Sequence, residues 1–169
     1  MEYSQKDKNL VEHTISSAIK YEGKIISVTL DEVQLADGTE TKREVVQHPG
    51  GVVILPLVKE DSKKYVILVE QFRQPLKKTV LELPAGKLEE EESPLHCAKR
   101  ELSEETGYGG GRWEEKVGIY TSPGYSDEVL TLFIAKDVKK QEPNERIEGP
   151  ENENLKIHKL PLSKLKQEA

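Results

Sequence analysis

The residues best equipped for chemistry in this chain are three glutamates, Glu101, Glu104 and Glu105, inside the stretch GKLEEEESPLHCAKRELSEETGY from Gly86 to Tyr108. Ser93 suits an N-cap, Pro94 the first helical position and Gly107 the left-handed turn that ends a helix, so the spacing predicts a helix over 94–105. At about 100° per residue, Leu95, Ala98 and Leu102 form one apolar stripe, and Glu105, Glu101 and Glu104 follow around the adjoining arc. Carboxylates three or four residues apart repel by about a few tenths of a kcal/mol per pair, and more when partly buried, so a positive partner is expected. Oxygen ligands alone suit a hard cation, Mg2+ or Mn2+, which keeps waters and bridges to phosphates. Without further context, the same residues also describe a solvated acidic helix.

The elements around this helix are mostly strands. Lys24 to Leu35 alternates through Ile26, Val28 and Leu30, shifts phase near Asp31-Glu32 and resumes at Val33 and Leu35, as a bent or bulged strand would. Asp37-Gly38 is a hairpin turn into Thr41 to Gln47. His48-Pro49-Gly50-Gly51 interrupts the pattern, and Val52 to Leu55 opens an apolar run. Further strands are predicted at Tyr65 to Phe72, Thr79 to Leu83, Glu115 to Tyr120, Glu128 to Ala135 and Leu155 to Leu160, with a short helical start at Pro161 to Lys166. The interruption at His48 divides the chain into a β module at 1–48 and a main domain at 49–169. So small a sheet cannot bury both faces alone, and packing on a second subunit makes a homodimer the expectation.

With 169 residues and no low-complexity linker, the chain suits one main domain. Charged residues make up 33 % and the net charge is -6, which argues against broad binding to nucleic acid or anionic membrane, so phosphate must be attracted locally. The single cysteine, Cys97, excludes an intramolecular disulfide and reads as helix packing. The N-terminal stretch is polar and no segment has bilayer-spanning length and hydropathy, so a cytoplasmic location is expected. The four histidines are scattered, and no Ser/His/Asp or Cys/His arrangement suggests a covalent intermediate.

Gly86, Glu92, Arg100, Glu101, Leu102, Glu104, Glu105 and Gly107 together match the signature box of the Nudix hydrolases. Tyr108 departs from the aliphatic residue expected at the last box position, which packs rather than ligates. The resemblance implies an α+β fold, a Nudix-type α/β/α sandwich with a mixed sheet, plus the small N-terminal antiparallel sheet. Outside the box the chain resembles the ADP-ribose pyrophosphatase and nucleoside diphosphate sugar hydrolase branch from about Arg43 to Leu162. Four segments carry this: Arg43 to Val46 with His48-Pro49-Gly50; Glu70 to Arg73 with Leu81 to Gly86; Ser122-Pro123-Gly124, with Pro123 sixteen residues after Gly107; and Glu151-Asn152-Glu153.

The resemblance assigns roles residue by residue. The Ala85 carbonyl, Glu101 and Glu105 are implied metal ligands, with Glu104 as ligand or water-orienting group and Glu151 as a further ligand. Glu151, or alternatively Glu153, is the implied water-activating base. Arg73 and Glu82 are implied at the pyrophosphate, Arg43 at the nucleotide end, and Ser122, Pro123 and Gly124 as a specificity turn. Glu92 is expected to pair with Arg100 as a structural member. Tyr125, Trp113 and Tyr21 each offer an aromatic face for a base. The implied reaction is Mg2+-dependent (or Mn2+-dependent) hydrolysis of ADP-ribose or a related nucleoside diphosphate sugar to a nucleoside monophosphate and a sugar phosphate. The alternatives are a Nudix enzyme acting on nucleoside triphosphates or dinucleoside polyphosphates, and a non-catalytic ADP-ribose-binding domain.

Overall fold

The structure, a computed structural model, describes residues 10–149 and 154–165. These divide into two compact units. One contains residues up to Gly50 together with Tyr120–Val129, and the other contains Gly51–Ile119 and the chain from Leu130 onward.

The first unit is built on a three-stranded antiparallel sheet of β1 (His13–Glu22), β2 (Ser27–Gln34) and β3 (Glu40–Gln47), with β2 central. Asp37 and Gly38 turn β2 into β3 as expected: Gly38 has φ +85°, and the Thr39 amide donates to Asp37 Oδ1 at 2.9 Å. β1 has no counterpart among the strands read from the sequence. All ten of its residues are exposed, so no buried face imprints a period of two on HTISSAIKYE. The phase break near Asp31-Glu32 also has a different origin from a bulge in β2. Pairing of β2 with β3 is continuous, while β1 carries an extra residue, Ile15, between Thr14↔Val33 and Ser16↔Glu32. Residues 120–129 join this unit through β3: the Val46 amide donates to Tyr125 O at 2.7 Å and the Asp127 amide to Val46 O at 3.1 Å.

The second unit is a mixed sheet flanked by one helix, α1 (Pro94–Thr106). Its strand order is β12 (Lys156–Pro161), β5 (Lys63–Arg73), β4 (Gly51–Glu60), β10 (Val129–Lys136), β9 (Arg112–Tyr120). β6 (Lys78–Glu82) pairs with β5, and β7 (Ala85–Lys87) pairs with β4. The β4–β10 pair is parallel, and the β4–β5, β5–β6, β4–β7 and β12–β5 pairs are antiparallel. Asp61 and Ser62, with φ 46° and 63°, make the two-residue left-handed turn that joins β4 to β5. A small ladder pairs β8 (Tyr108–Gly109) with β11 (Lys139–Lys140), and within the described residues the predicted terminal helix opens as a 3-10 turn at Leu162–Lys164.

The core of this unit joins Val52, Ile54 and Val58 of β4 to Ile67, Phe133 and Ala135, with Cys97, Ala98 and Leu102 of α1 pressed on it. Leu95, read as part of the apolar stripe, is 38 % exposed, and Cys97 takes the core position instead. Trp113 packs edge-to-face on Phe133, with centroids 6.3 Å apart, and donates its indole N–H to Gly110 O, so it packs partly buried against this core. Val66 to Val69 are buried in succession, as in a strand covered on both faces. Phe133→Ala is expected to cost about 3–5 kcal/mol through lost burial and the cavity left behind. Urea denaturation should show this as a lower midpoint at unchanged slope.

Candidate active site

Helix α1 forms for local reasons. The Ser93 hydroxyl accepts the His96 amide at 3.3 Å, Pro94 fills the first turn, and Gly107 closes the helix at φ 64°, donating its amide to Ser103 O at 2.7 Å. Its polar arc then meets β7, the strand that carries Ala85 and Gly86.

Two of the helix's carboxylates meet that strand directly. Glu105, only 7 % exposed, accepts the Ala85 amide on Oε2 at 3.1 Å. Glu101 lies across Gly86 so closely that a Cβ on that glycine would stand 1.9 Å from Glu101 Cδ. Gly86 is therefore required by close approach: any side chain there would push the Glu101 carboxylate away. On its other side the Gly86 carbonyl leaves no room for a Cβ on Gly51 of β4, which would sit 2.5 Å from the oxygen.

Arg100 supplies the positive partner that the clustered carboxylates demand. Its Nε and Nη2 donate to the two oxygens of Glu92 at 2.9 and 2.8 Å, a bidentate fork. Nη1 reaches Glu101 Oε1 at 2.8 Å and Glu104 Oε2 at 3.3 Å. Glu92 also accepts the Glu89 amide and contacts His96 Nδ1 at 3.0 Å. The guanidinium beside Glu92 holds that carboxyl at about 2, well below its ordinary 4.5, and the carboxylates in turn raise the Arg100 pKa. Burial pushes the Cys97 thiol up to about 12, so it remains an inert packing group.

Glu101 and Glu104 thus converge on Arg100, while Glu105 is held at Ala85 N–H. Among the described residues, no three His, Cys, Asp or Glu side chains form a ready-made metal cluster. The donor chemistry nevertheless fits a hard divalent cation. The carboxylates are partly desolvated and anchored, no thiolate competes, and the Gly86 cradle keeps space for the Glu101 carboxylate beside the backbone.

Elsewhere in this unit, Arg73 at the end of β5 is forked by Glu82 of β6, with Nη2 to Oε2 at 2.6 Å and Nε to both oxygens at 3.0 and 3.1 Å. The strand register sets up the pair: Arg73 lies opposite Lys78 and Val69 opposite Glu82 on the same two strands. The remaining candidates belong to the other unit. Arg43 on β3 is forked by Glu12, through Nε at 3.0 Å and Nη2 at 2.6 Å. Ser122-Pro123-Gly124 form a turn in which Ser122 O accepts the amides of Tyr125 and Ser126 at 3.1 and 2.9 Å. Glu151 and Glu153 lie outside the described residues.

The sequence reading did not anticipate the segment from β11 onward, which meets the C-terminal end of α1. Lys140 Nζ donates to Thr106 O at 2.8 Å, and Arg146 Nη2 to Glu104 O at 3.3 Å. Gly149 sits so close that a Cβ there would be 3.3 Å from Glu104 Cβ. The available signal was the absence of a basic residue from the helix's own last turn, which leaves its carbonyl end to be served from elsewhere.

The NUDIX domain family matches residues 47–169, and the nucleoside diphosphate sugar hydrolase N-terminal domain matches residues 12–46. The chain belongs to the Nudix family and is a hydrolase of that family, whose members generally depend on a divalent cation. It is 40 % identical over 155 residues to the ADP-ribose pyrophosphatase of Bacillus subtilis (strain 168), covering 92 % of this chain and 81 % of that protein. It is 41 % identical over 131 residues to the methanol dehydrogenase activator of Bacillus methanolicus, covering 78 % of this chain and 69 % of that protein. Among solved structures, an ADP compounds hydrolase superposes with a TM-score of 0.76 at 21 % identity, over 91 % of this chain and 80 % of the other, a likeness of fold. No helix among the described residues is long and apolar enough to cross a membrane.

Glu92→Gln takes from the buried Arg100 its bidentate carboxylate and leaves it only the contacts of one nitrogen with Glu101 and Glu104, and is expected to cost about 3 kcal/mol at pH 7. Because the folded-state pKa of Glu92 is depressed to about 2, its contribution is complete above about 4.5 and is lost as pH falls toward 2. Denaturation curves of both proteins across that range should therefore converge on the acid side.

Proposed function

We propose that this chain hydrolyses the diphosphate bond of ADP-ribose or a related nucleoside diphosphate sugar, releasing a nucleoside monophosphate and a sugar phosphate. The observation that carries the chemistry is the Gly86 cradle, where the Glu101 carboxylate lies against a glycine with no room for a methyl and the buried Glu105 is anchored on the neighbouring amide. The substrate class is supported by the similarity to an ADP-ribose pyrophosphatase and by the N-terminal domain match.

The proposed cation is Mg2+, with Mn2+ as a substitute, held by Glu101, Glu105 and the Ala85 carbonyl, with Glu104 and Glu151 as further ligands. When bound, it neutralises diphosphate oxygens and lowers the pKa of the attacking water. Arg100 aligns Glu101 and Glu104 from one side, so that their charges accumulate without repelling each other apart. Glu82 orients the Arg73 guanidinium, which takes a phosphate oxygen of the substrate. Glu151 accepts the proton of the attacking water, with Glu153 as the alternate.

In the N-terminal unit, Arg43 and the Ser122-Pro123-Gly124 turn are proposed to serve the nucleotide end. That turn is hydrogen-bonded to β3, the strand that bears Arg43, which gives the two a shared scaffold. A homodimer is also proposed, with 1–48 as its dimerising module and 49–169 as the catalytic domain. β1 is an edge strand whose apolar Ile15, Ile19 and Tyr21 are 53, 64 and 57 % exposed, surface of the kind a second subunit covers. A cytoplasmic location completes the reading.

Incubation with ADP-ribose and Mg2+ should yield AMP and ribose 5-phosphate, and Glu105→Gln should bring the rate to background. Turnover retained in that variant would remove Glu105 from the ligand set. A panel of ADP-ribose, ADP-glucose, UDP-glucose, GDP-mannose and ATP would rank the substrates. Light scattering of the intact protein should return twice the 19.1 kDa chain mass; the single-chain mass would exclude the dimer.

A further inference from the structure

The box position between Leu102 and Glu104 faces neither Ala85 nor Arg100, and its occupant, Ser103, is a polar side chain only 2 % exposed. Its hydroxyl is engaged both as donor and as acceptor. It donates to Gln141 Oε1 at 2.7 Å and accepts the Ile147 amide at 3.0 Å. Gln141 in turn donates through Nε2 to Glu145 O at 3.2 Å, and its own amide donates to Gly107 O at 2.9 Å. Its side chain covers Gly109 so tightly that a Cβ on that glycine would stand 2.8 Å from Gln141 Cδ. Arg146 and Lys140 close the arrangement by donating to the carbonyls of Glu104 and Thr106.

We propose that Ser103 and Gln141 are positioning residues for the hydrolysis: together they clamp residues 141–149 onto the last turn of the helix that carries Glu101, Glu104 and Glu105. Each link has a physical reason. A helix end leaves carbonyls unpaired, and an acidic last turn opposes the helix dipole, so a strap that brings donors and two cations is held there. Ser103 converts that general attraction into a single register, because one hydroxyl simultaneously receives Ile147 and grips Gln141. With the register set, Gly149 is seated against Glu104, so the strap bears directly on one of the carboxylate-carrying residues of the helix. This rests on the functional reading above, in which those carboxylates serve the hydrolysis.

The test uses the full chain with Ser103→Ala, Gln141→Leu and the double variant. Loss of one or two buried neutral hydrogen bonds is expected to lower kcat about tenfold with KM changed less than about twofold. The double variant should lose no more than either single one, the non-additivity of a shared contact. Hydrogen exchange at the Ile147 amide should accelerate in Ser103→Ala while amides in the middle of α1 keep their protection. Should Ser103→Ala fail to fold, Gln141→Leu, changed outside the helix, carries the same readouts. Wild-type kcat in either variant, or additive losses in the double, would overturn the positioning role even where Ile147 exchange has risen. A wild-type protein that releases no AMP from ADP-ribose would instead defeat the functional reading, while Ile147 exchange would still decide whether the clamp exists.

Discussion

Crowding several carboxylates at the end of one helix is possible here because Arg100 reaches all but one of them. Its guanidinium offers a rigid fork to Glu92 and a third nitrogen to Glu101 and Glu104, within a region where these side chains are between 6 and 14 % exposed. A lysine would bring one compact charge and no fork, and could not hold the Glu89–Glu92 loop and the helical arc at once. Desolvating four such groups is unfavourable unless hydrogen bonds satisfy them, and the geometry supplies those bonds on nearly every side. The loop, the helix and β7 consequently behave as one structural piece, with Gly86 as the point of closest approach.

That piece is electrostatically opposed to its own helix. Glu104 and Glu105 occupy the carbonyl end, where the dipole favours cations, and the helix's last turn contains no basic residue. The opposition is relieved by Arg100 along the helix's own side and, from outside, by Lys140 and Arg146 over the end. Burial depresses the Lys140 pKa, as expected for an ammonium taken partly out of water to serve a carbonyl. A cluster that concentrates negative charge is thus surrounded by fixed positive groups that keep it folded.

The two units are assembled in a way that the chain order conceals. Residues 120–129 come late in the sequence, yet they hydrogen-bond to β3 and group with the N-terminal sheet. Arg43 and the Pro123 turn therefore share one scaffold, whereas the glutamates, Arg73 and Glu82 share the other. Both arginines proposed for substrate are already forked by a carboxylate, Arg73 by Glu82 and Arg43 by Glu12. Such pairing limits the rotamers of a long side chain and lowers the entropy it must lose on meeting a phosphate.

Much of this was legible in the primary structure. The helix, its caps, the Glu92–Arg100 partnership and the inner strands follow from short-range rules, because caps, turns and 3.6-residue spacing act within a few residues. The family follows from box spacing, since a helix carries its i, i+3 and i+4 neighbours wherever it goes. β1 was not legible, because a strand exposed along its whole length carries no alternation. Nor was the bulge at Ile15, which shows only through its partner, or the exchange of Leu95 for Cys97 in the core, where the packing of β7 and β4 decides which edge of the arc is covered. The closeness of Glu101 to Gly86, the capture of Glu105 by Ala85 and the grip of Ser103 on a segment 38 residues away are also products of tertiary structure. Sequence alone determined which groups would be charged and which would share a face. Only the folded chain decided which of those charges meet, because contacts between distant residues depend on the sheet that brings them together.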